Sequence, residues 1–287
     1  MEYYRDLKSL RLEYRAKLPS LLKMVLLYPF FKLTYWTYYG SDFKRALAGG
    51  IFRVLPKRVK VNLSLFSKGA GKYLRVPVWL SPDHLTSFRE VIWFHAYALQ
   101  GDWIPDAMVD AGANIGYASL YMGLRYPVKT ILAIEANPFL WPLLIDVGKS
   151  LKEVGVQVFI AEGALTGTEG TVFLNVQENS RNSSTDSRGG QLRVEGHRLA
   201  NWMGQLKVPA SEFQTRALFK LDIEGGEYEL FENDPSIFDH FDYLISEFHG
   251  PLERRYPLIQ KVAGHFKTVL KQESPPTDCE VCHFFEA

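Results

Sequence analysis

Two cysteines in 287 residues exclude a disulfide framework. Both lie in TDCEVCHFF, where Cys279, Cys282 and His283 match a C-x-x-C-H haem-attachment pattern. The stretch is short and alternating, so it reads as a closing strand, and with no export signal expected the haem reading fails. Long apolar runs are also missing. The most apolar stretch, MVLLYPFF (Met24 to Phe31), holds 8 residues between Lys23 and Lys32, whereas a spanning helix needs about 20. It is followed by no small-residue cleavage site, which leads to the expectation of a cytoplasmic protein. There is no internal repeat, no long low-complexity tract and no excess of one charge, since 33 Lys and Arg face 32 Asp and Glu.

That balance hides an asymmetry. Residues 1 to 60 carry 13 Lys and Arg against 4 Asp and Glu, leaving 20 against 28 for the rest. A basic segment of this kind is read first as a solvated face and MVLLYPFF as a core helix interrupted by Pro29, with peripheral contact to an anionic membrane through the Lys-flanked aromatics as the alternative. Residues 1–75 are expected to form a helical or irregular extension, with a soft boundary before Val76.

Beyond that boundary the pattern becomes regular. AMVDAG, YASLYMGLRY, TILAIEA, FLWPLLIDVGKSL and VQVFIAEGAL alternate short strand-like runs with amphipathic helical ones. The alternation resumes with ALFKLDIEGGEYELF, FDYLISEFHG, LERRYPLIQKVAGHF, KTVLKQE and CEVCHFFEA. Strands joined through helices predict a mostly parallel sheet covered on both faces, in one domain over 76–287. The Ser, Asn, Arg and Gly-rich stretch Glu178 to Arg193 has almost nothing to bury and is expected to be a surface loop.

The first strand-to-helix turn is where such sheets bind ligands. Here it reads VDAGANIGYASL, from Val109. A dinucleotide fingerprint, G-x-G-x-x-G, begun at Gly112 would need glycines where Asn114 and Tyr117 stand, so it is absent. The turn runs D-x-G-x-N-x-G instead, with Asp110 at the strand tip. An acidic group there repels pyrophosphate and favours a nucleoside-like ligand that carries positive charge. Glu135 ends the next strand, where a carboxylate can accept hydrogen bonds from both ribose hydroxyls.

With VDAGANIGYASL, IEANP, LFKLDIEGGEYELF and LISEFHG in this order, the sequence resembles the FkbM family of S-adenosylmethionine-dependent O-methyltransferases over about residues 76–287. The resemblance implies a Rossmann-like methyltransferase fold with a mostly parallel seven-stranded sheet and helices on both faces. It implies that Gly112, Ala113, Asn114 and Gly116 line the methionine and ribose part of S-adenosyl-L-methionine, with Asp110 near its amino group. Glu135 would hold the ribose hydroxyls beside Ala136 and Asn137, and Glu162, Gly163 and Ala164 would flank the adenine. The acceptor it implies is a hydroxyl of a sugar, glycan or other small metabolite.

Methyl transfer to a hydroxyl needs alignment and a base. Lys220, Asp222 and Glu224 alternate, which places them on one face of a strand with Glu224 at its carboxyl end, and Glu247 and His249 repeat the arrangement on the neighbouring strand. Crowded carboxylates raise one another's pKa, and His249 titrates near neutrality unaided. His249 or Glu224 is therefore the candidate base, with Asp222 toward the cofactor and Glu247 orienting. The same residues are ligand types for a hard divalent metal ion, which some O-methyltransferases use. Glu227 and Glu229 begin a helix, where negative charge meets the dipole without any catalytic role. Three other classes compete: a nicotinamide-dependent oxidoreductase, opposed by the failed fingerprint; a non-catalytic or membrane-docking protein, opposed by the intact turn and carboxylate set; and a nucleic-acid methyltransferase. The last is opposed by the acidic balance beyond residue 60 and by the absence of an N-P-P-Y-like stretch after the fourth strand.

Overall fold

The computed structural model describes residues 10–14, 59–80, 84–93, 95–176, 183–185, 192–214, 216–272 and 279–285. The apolar stretch Met24 to Phe31 and most of the Glu178 to Arg193 segment lie outside them. The chain divides into two compact units, Met1–Ala96 and Tyr97–Ala287.

In the first unit β1 (Leu10–Tyr14), β2 (Val59–Ser67) and β3 (Lys72–Leu80) form an antiparallel sheet in that order. The expectation of a helical or irregular extension is corrected here. VKVNLSLFS alternates Val61, Leu63 and Leu65 with Asn62 and Ser64, a period of two that specifies a strand. The soft boundary at residue 75 falls inside β3, and the unit runs on to Ala96.

The second unit is built on β4 (Ala107–Ala111), α1 (Tyr117–Arg125), β5 (Thr130–Glu135), α2 (Trp141–Lys152) and β6 (Gln157–Glu162). Next come the short β7 (Ala164–Leu165), then β8 (Gly170–Val176), β9 (Ser183–Thr185), β10 (Leu192–His197) and α3 (Leu199–Gln205). The chain returns through β11 (Ala217–Leu221), α4 (Glu227–Asn233), β12 (Tyr243–His249), α5 (Leu252–Ala263), β13 (Thr268–Gln272) and β14 (Cys279–Phe285).

Seven of these strands make one sheet in the order β13-β14-β12-β11-β4-β5-β6. It is the mostly parallel Rossmann-like sheet that the sequence led us to expect. Every pair from β12 to β6 is parallel, and β14 runs antiparallel to both neighbours. The central strands β4, β5 and β11 are buried at every position, which is why AMVDA, TILAIE and ALFKL read as continuous runs rather than alternations. The chain leaves β4 for β5 on one side and comes back to β11 on the other. This reversal opens a crevice at the carboxyl ends of β4 and β11.

The closing strand expected at TDCEVCHFF is β14. Cys282 and His283 are buried on it, and His283 Nδ1 lies 3.1 Å from the Tyr243 hydroxyl. Burial drives the His283 imidazole down to about 4, so it is neutral.

A second sheet was not foreseen. β7, β10, β8 and β9 pair in that order, with β10 parallel to β7 and antiparallel to β8. Ser183–Thr185, inside the segment expected to be a loop, supplies its edge strand.

Candidate active site

A cavity of about 530 Å³ opens at the carboxyl ends of the parallel strands, a size ordinary for a small-molecule site. Its wall includes Gly112, Asn114, Glu135, Ala136, Gly163 and Ala164, together with Asp222 to Gly226, Tyr228 and Glu229. Thr166 and the residues Thr168 to Leu174, leading into and along β8, complete the wall.

The glycine turn works differently from the simplest expectation. Gly112 has φ +70°, and a Cβ there would lie 1.6 Å from the carbonyl oxygen of Asp222. The missing side chain thus lets the tips of β4 and β11 touch. Gly116, at φ +87°, makes room for Leu144 and Val147 of α2, at 2.8 and 3.0 Å from the built Cβ. Neither Gly116 nor Ala113 lines the cavity.

Asp110 is fully buried, and its Oδ2 accepts hydrogen bonds from the Ser119 backbone N–H at 3.0 Å and the Ser119 hydroxyl at 2.6 Å. Its Oδ1 is 3.3 Å from Lys220 Nζ. The carboxylate therefore caps α1 and pairs with a buried lysine, and it does not line the cavity.

Glu135 ties the two loops of the cofactor end together. Its Oε2 accepts from the Asn114 N–H at 2.6 Å and its Oε1 from the Asn137 N–H at 2.7 Å. Burial pushes this carboxyl up to about 7, against the pull of those two amides. Asn137 is buried behind it, with Oδ1 accepting from the Phe139 N–H at 3.0 Å, and Glu162 is exposed outside the lining. Of the expected cofactor residues, Gly112, Asn114, Glu135, Ala136, Gly163 and Ala164 thus reach the cavity, whereas Asp110, Ala113, Gly116, Asn137 and Glu162 stand behind it.

The expected acid and histidine cluster assembles, with one correction. β11 ends at Leu221, so Asp222 and Glu224 lie in the turn after it and share no strand face. Glu224 is left-handed, at φ +53°, a backbone state that is costly for any residue other than glycine and concentrates at functional sites. The turn brings Asp222 and Glu224 to 3.8 and 3.6 Å from Nε2 of His249, at the end of β12. Burial, then Asp222, raises Glu224 to about 7. Glu247 is also pushed up by burial and by Asp222. Burial would lower the Lys220 ammonium, but Asp110, Asp222 and Glu247 hold it above its ordinary value. Its Nζ lies 3.6 Å from Asp222 and donates to the carbonyls of Ala111 and Gly112 at 3.2 and 2.8 Å.

Two members escaped the sequence reading. Tyr97 has its hydroxyl 2.7 Å from Glu247 and 3.2 Å from Asp222; it sits in no motif, and 125 residues separate it from Asp222. Glu227 was set aside as a helix-start charge, yet it is completely buried, with Oε1 3.3 Å from His249 Nδ1. Its three-residue spacing from Glu224 was the available signal. Glu229 also does more than face a dipole, since its two oxygens accept from the Gly167 N–H at 3.0 Å and the Thr168 hydroxyl at 3.2 Å, fastening α4 to the wall of the cavity.

Asp222, Glu224 and His249 each offer one ligand atom within 4.8 Å of the others.

Residues 110–269, more than half of the chain, match the model of the methyltransferase FkbM domain. The chain belongs to the FkbM methyltransferase family. Among curated proteins this FkbM chain is similar to the methyltransferase sdnD of Sordaria araneosa, 28% identical over 171 residues that cover 50% of this chain and 66% of that protein. Its span thus falls just short of two thirds of that relative. Among solved structures it is similar to an FkbM methyltransferase of Methylobacillus flagellatus, at 12% identity and a TM-score of 0.45 over 69% of this chain and 47% of that one. It is also similar to fibrillarin of Aeropyrum pernix with natively bound S-adenosyl-L-methionine, at 9% identity and a TM-score of 0.42 over 78% and 89%. At these TM-scores the family assignment rests on the domain match alone.

Proposed function

We propose that the protein transfers a methyl group from S-adenosyl-L-methionine to a hydroxyl of a sugar, glycan or other small metabolite. One observation carries this reading: a single cavity is lined both by Gly112 of the glycine turn and the Glu135 carboxylate that ends β5, and by the Glu224 acid, which is backed by His249. The residues suit the cofactor. Each Glu135 oxygen holds one amide and keeps a lone pair for a hydroxyl donor, and the Asp222 carboxylate provides negative potential for a cation. When bound, S-adenosyl-L-methionine supplies an electrophilic methyl on a sulfonium.

The chain must supply alignment and a place for the proton. Glu224 lines the cavity, and its carboxyl at about 7 is partly ionised near neutrality. His249 Nε2, 3.6 Å from Glu224 Oε2, is one side-chain adjustment beyond hydrogen-bond length. We assign the base to this pair: the acceptor O–H proton would pass to Glu224 and be shared with His249 as the O–C bond forms and the methyl–sulfur bond breaks, its electron pair staying on sulfur as the neutral thioether leaves. Buried Lys220 and Tyr97 hold Asp222 in place, and the Tyr97 hydroxyl also lies 2.7 Å from Glu247.

Glu224→Gln and His249→Ala should each lower kcat about 100-fold, with S-adenosyl-L-methionine affinity by calorimetry unchanged within about threefold. Labelled-methyl incorporation across glycans, phenols and metabolite extracts identifies the acceptor, and full activity in both variants refutes the base. A second reading, a divalent ion on Asp222, Glu224 and His249, is favoured by their spacing; loss of activity on chelation, restored by Mg²⁺ or Mn²⁺, would select it.

The acidic balance beyond residue 60 supports a small acceptor rather than nucleic acid. Among the described residues no helix is long and apolar enough to cross a membrane. The basic N-terminal segment supports peripheral contact with an anionic membrane surface.

A further inference from the structure

A glutamate that merely starts a helix lies in water and faces the dipole. Glu227 does not. It is the first residue of α4 and is 0% exposed, and a carboxylate so placed is stable only with partners. Oε1 has two of them: it accepts from the Ile223 N–H at 3.1 Å and stands 3.3 Å from His249 Nδ1. Oε2 is buried with no hydrogen bond among the described residues.

The imidazole is therefore addressed from opposite sides. Nδ1 faces Glu227, and Nε2 faces Asp222 at 3.8 Å and Glu224 at 3.6 Å. The strand end that carries the ring is held as well, because the Tyr228 hydroxyl donates to the His249 carbonyl at 2.7 Å and the Arg254 guanidinium lies 4.0 Å over the Tyr228 ring. The charges facing the ring are Asp222 and Glu224 from the turn after β11, Glu227 from α4 and Glu247 from β12 itself, with Lys220 offsetting Asp222. A carboxylate cannot donate, so a hydrogen bond to Glu227 requires the proton on Nδ1 and leaves the Nε2 lone pair toward Glu224.

We propose that Glu227 is a positioning residue that fixes the Nδ1–H tautomer of His249 and so completes a Glu224–His249–Glu227 proton relay. This rests on the reading of Glu224 and His249 as the base. The proton taken from the acceptor hydroxyl arrives at Nε2, and the resulting imidazolium lies against the Glu227 carboxylate. Glu227 touches neither acceptor nor cofactor and acts through the ring.

The test needs no acceptor. In the full chain with ¹⁵N-labelled histidine, the His249 ring signals are assigned by their loss in His249→Ala. The proposal expects Nδ1–H as the neutral tautomer in the wild type. In Glu227→Leu, which offers no acceptor, it expects a mixed tautomer, whereas Glu227→Gln, whose amide oxygen still accepts from both the Ile223 N–H and Nδ1–H, should keep the wild-type tautomer. Melting temperature and S-adenosyl-L-methionine affinity should remain close to wild type. An Nε2–H tautomer in the wild type overturns the proposal without any variant, and so does an unchanged tautomer in Glu227→Leu. Once an acceptor is known, Glu227→Gln should lower kcat about 10-fold or more at unchanged KM and move the acid limb of its pH profile to lower pH. If the relay is seen by NMR but no acceptor is methylated, the transfer reading fails while the positioning role stands.

Discussion

Three carboxyl groups around the cavity retain protons that exposed carboxylates would have lost. Burial raises Glu135 and Glu224 to about 7 and pushes Glu247 in the same direction. A raised folded-state value means that the native protein binds the proton more tightly than the unfolded chain. The associated stability is complete below the ordinary value of 4.5 and is lost as the pH rises through about 7. His283 acts the other way: its value is lowered from 6.5 to about 4, so its contribution is lost as the pH falls across that window. Comparing wild type with Glu224→Gln cancels His283 and isolates one group. The glutamine mimics the protonated acid at every pH, so the variant should gain stability relative to wild type as the pH rises from about 4.5 to about 7. Urea unfolding at three pH values in that window checks it, and a constant difference would show that Glu224 ionises as it does in water.

The junction of β4 and α1 shows what was legible before any coordinates. VDAGANIGYASL announces a strand, a turn and a helix because its apolar period changes from continuous to helical across two glycines. The parallel sheet was legible for the same reason, and so was the gathering of Asp222, Glu224, Glu247 and His249, since strand ends in such a sheet converge by topology. The cause of each glycine was not legible, because it lies in a neighbour distant in sequence. Gly112 faces the Asp222 carbonyl and Gly116 faces Leu144 and Val147. Tyr97 was hidden in the same way. The sheet of β7 to β10 escaped because β7 and β9 are short and β9 lies in a Ser-rich segment that buries little. The two glycines predict different costs. At Gly112 the obstructing atom is backbone and φ is +70°, so Gly112→Ala should cost about 4 kcal/mol or more. At Gly116 the obstructing atoms are side-chain methyls that can shift, so Gly116→Ala should cost about 1–2 kcal/mol, mainly for its positive φ. Denaturant midpoints at constant m rank them, and equal losses would mean that the β4–β11 contact yields.

The molecule's charge separates along the chain while the total stays near zero. Residues 1 to 60 hold 13 Lys and Arg against 4 Asp and Glu, and the remainder holds 20 against 28. Since the acid-rich part contains the cavity, the proposed contact with an anionic surface would fall to the N-terminal segment. There Lys23 and Lys32 flank MVLLYPFF, and aromatic residues suited to a headgroup region follow in TYWTYYG. Each basic residue near an anionic leaflet contributes about 1 kcal/mol, within a range set by ionic strength. The full chain should therefore sediment with vesicles containing about 30% phosphatidylserine at about 0.05 M salt and be largely released at about 0.5 M, where charges a few ångströms apart are already screened. Vesicles of neutral lipid should retain little of it. Replacing Lys23 and Lys32 with glutamate should shift release to lower salt and leave S-adenosyl-L-methionine binding untouched, because the cofactor end of the cavity is built wholly from residues beyond 110. Equal sedimentation with neutral and anionic vesicles would refute an electrostatic contact and leave the basic segment a solvated face.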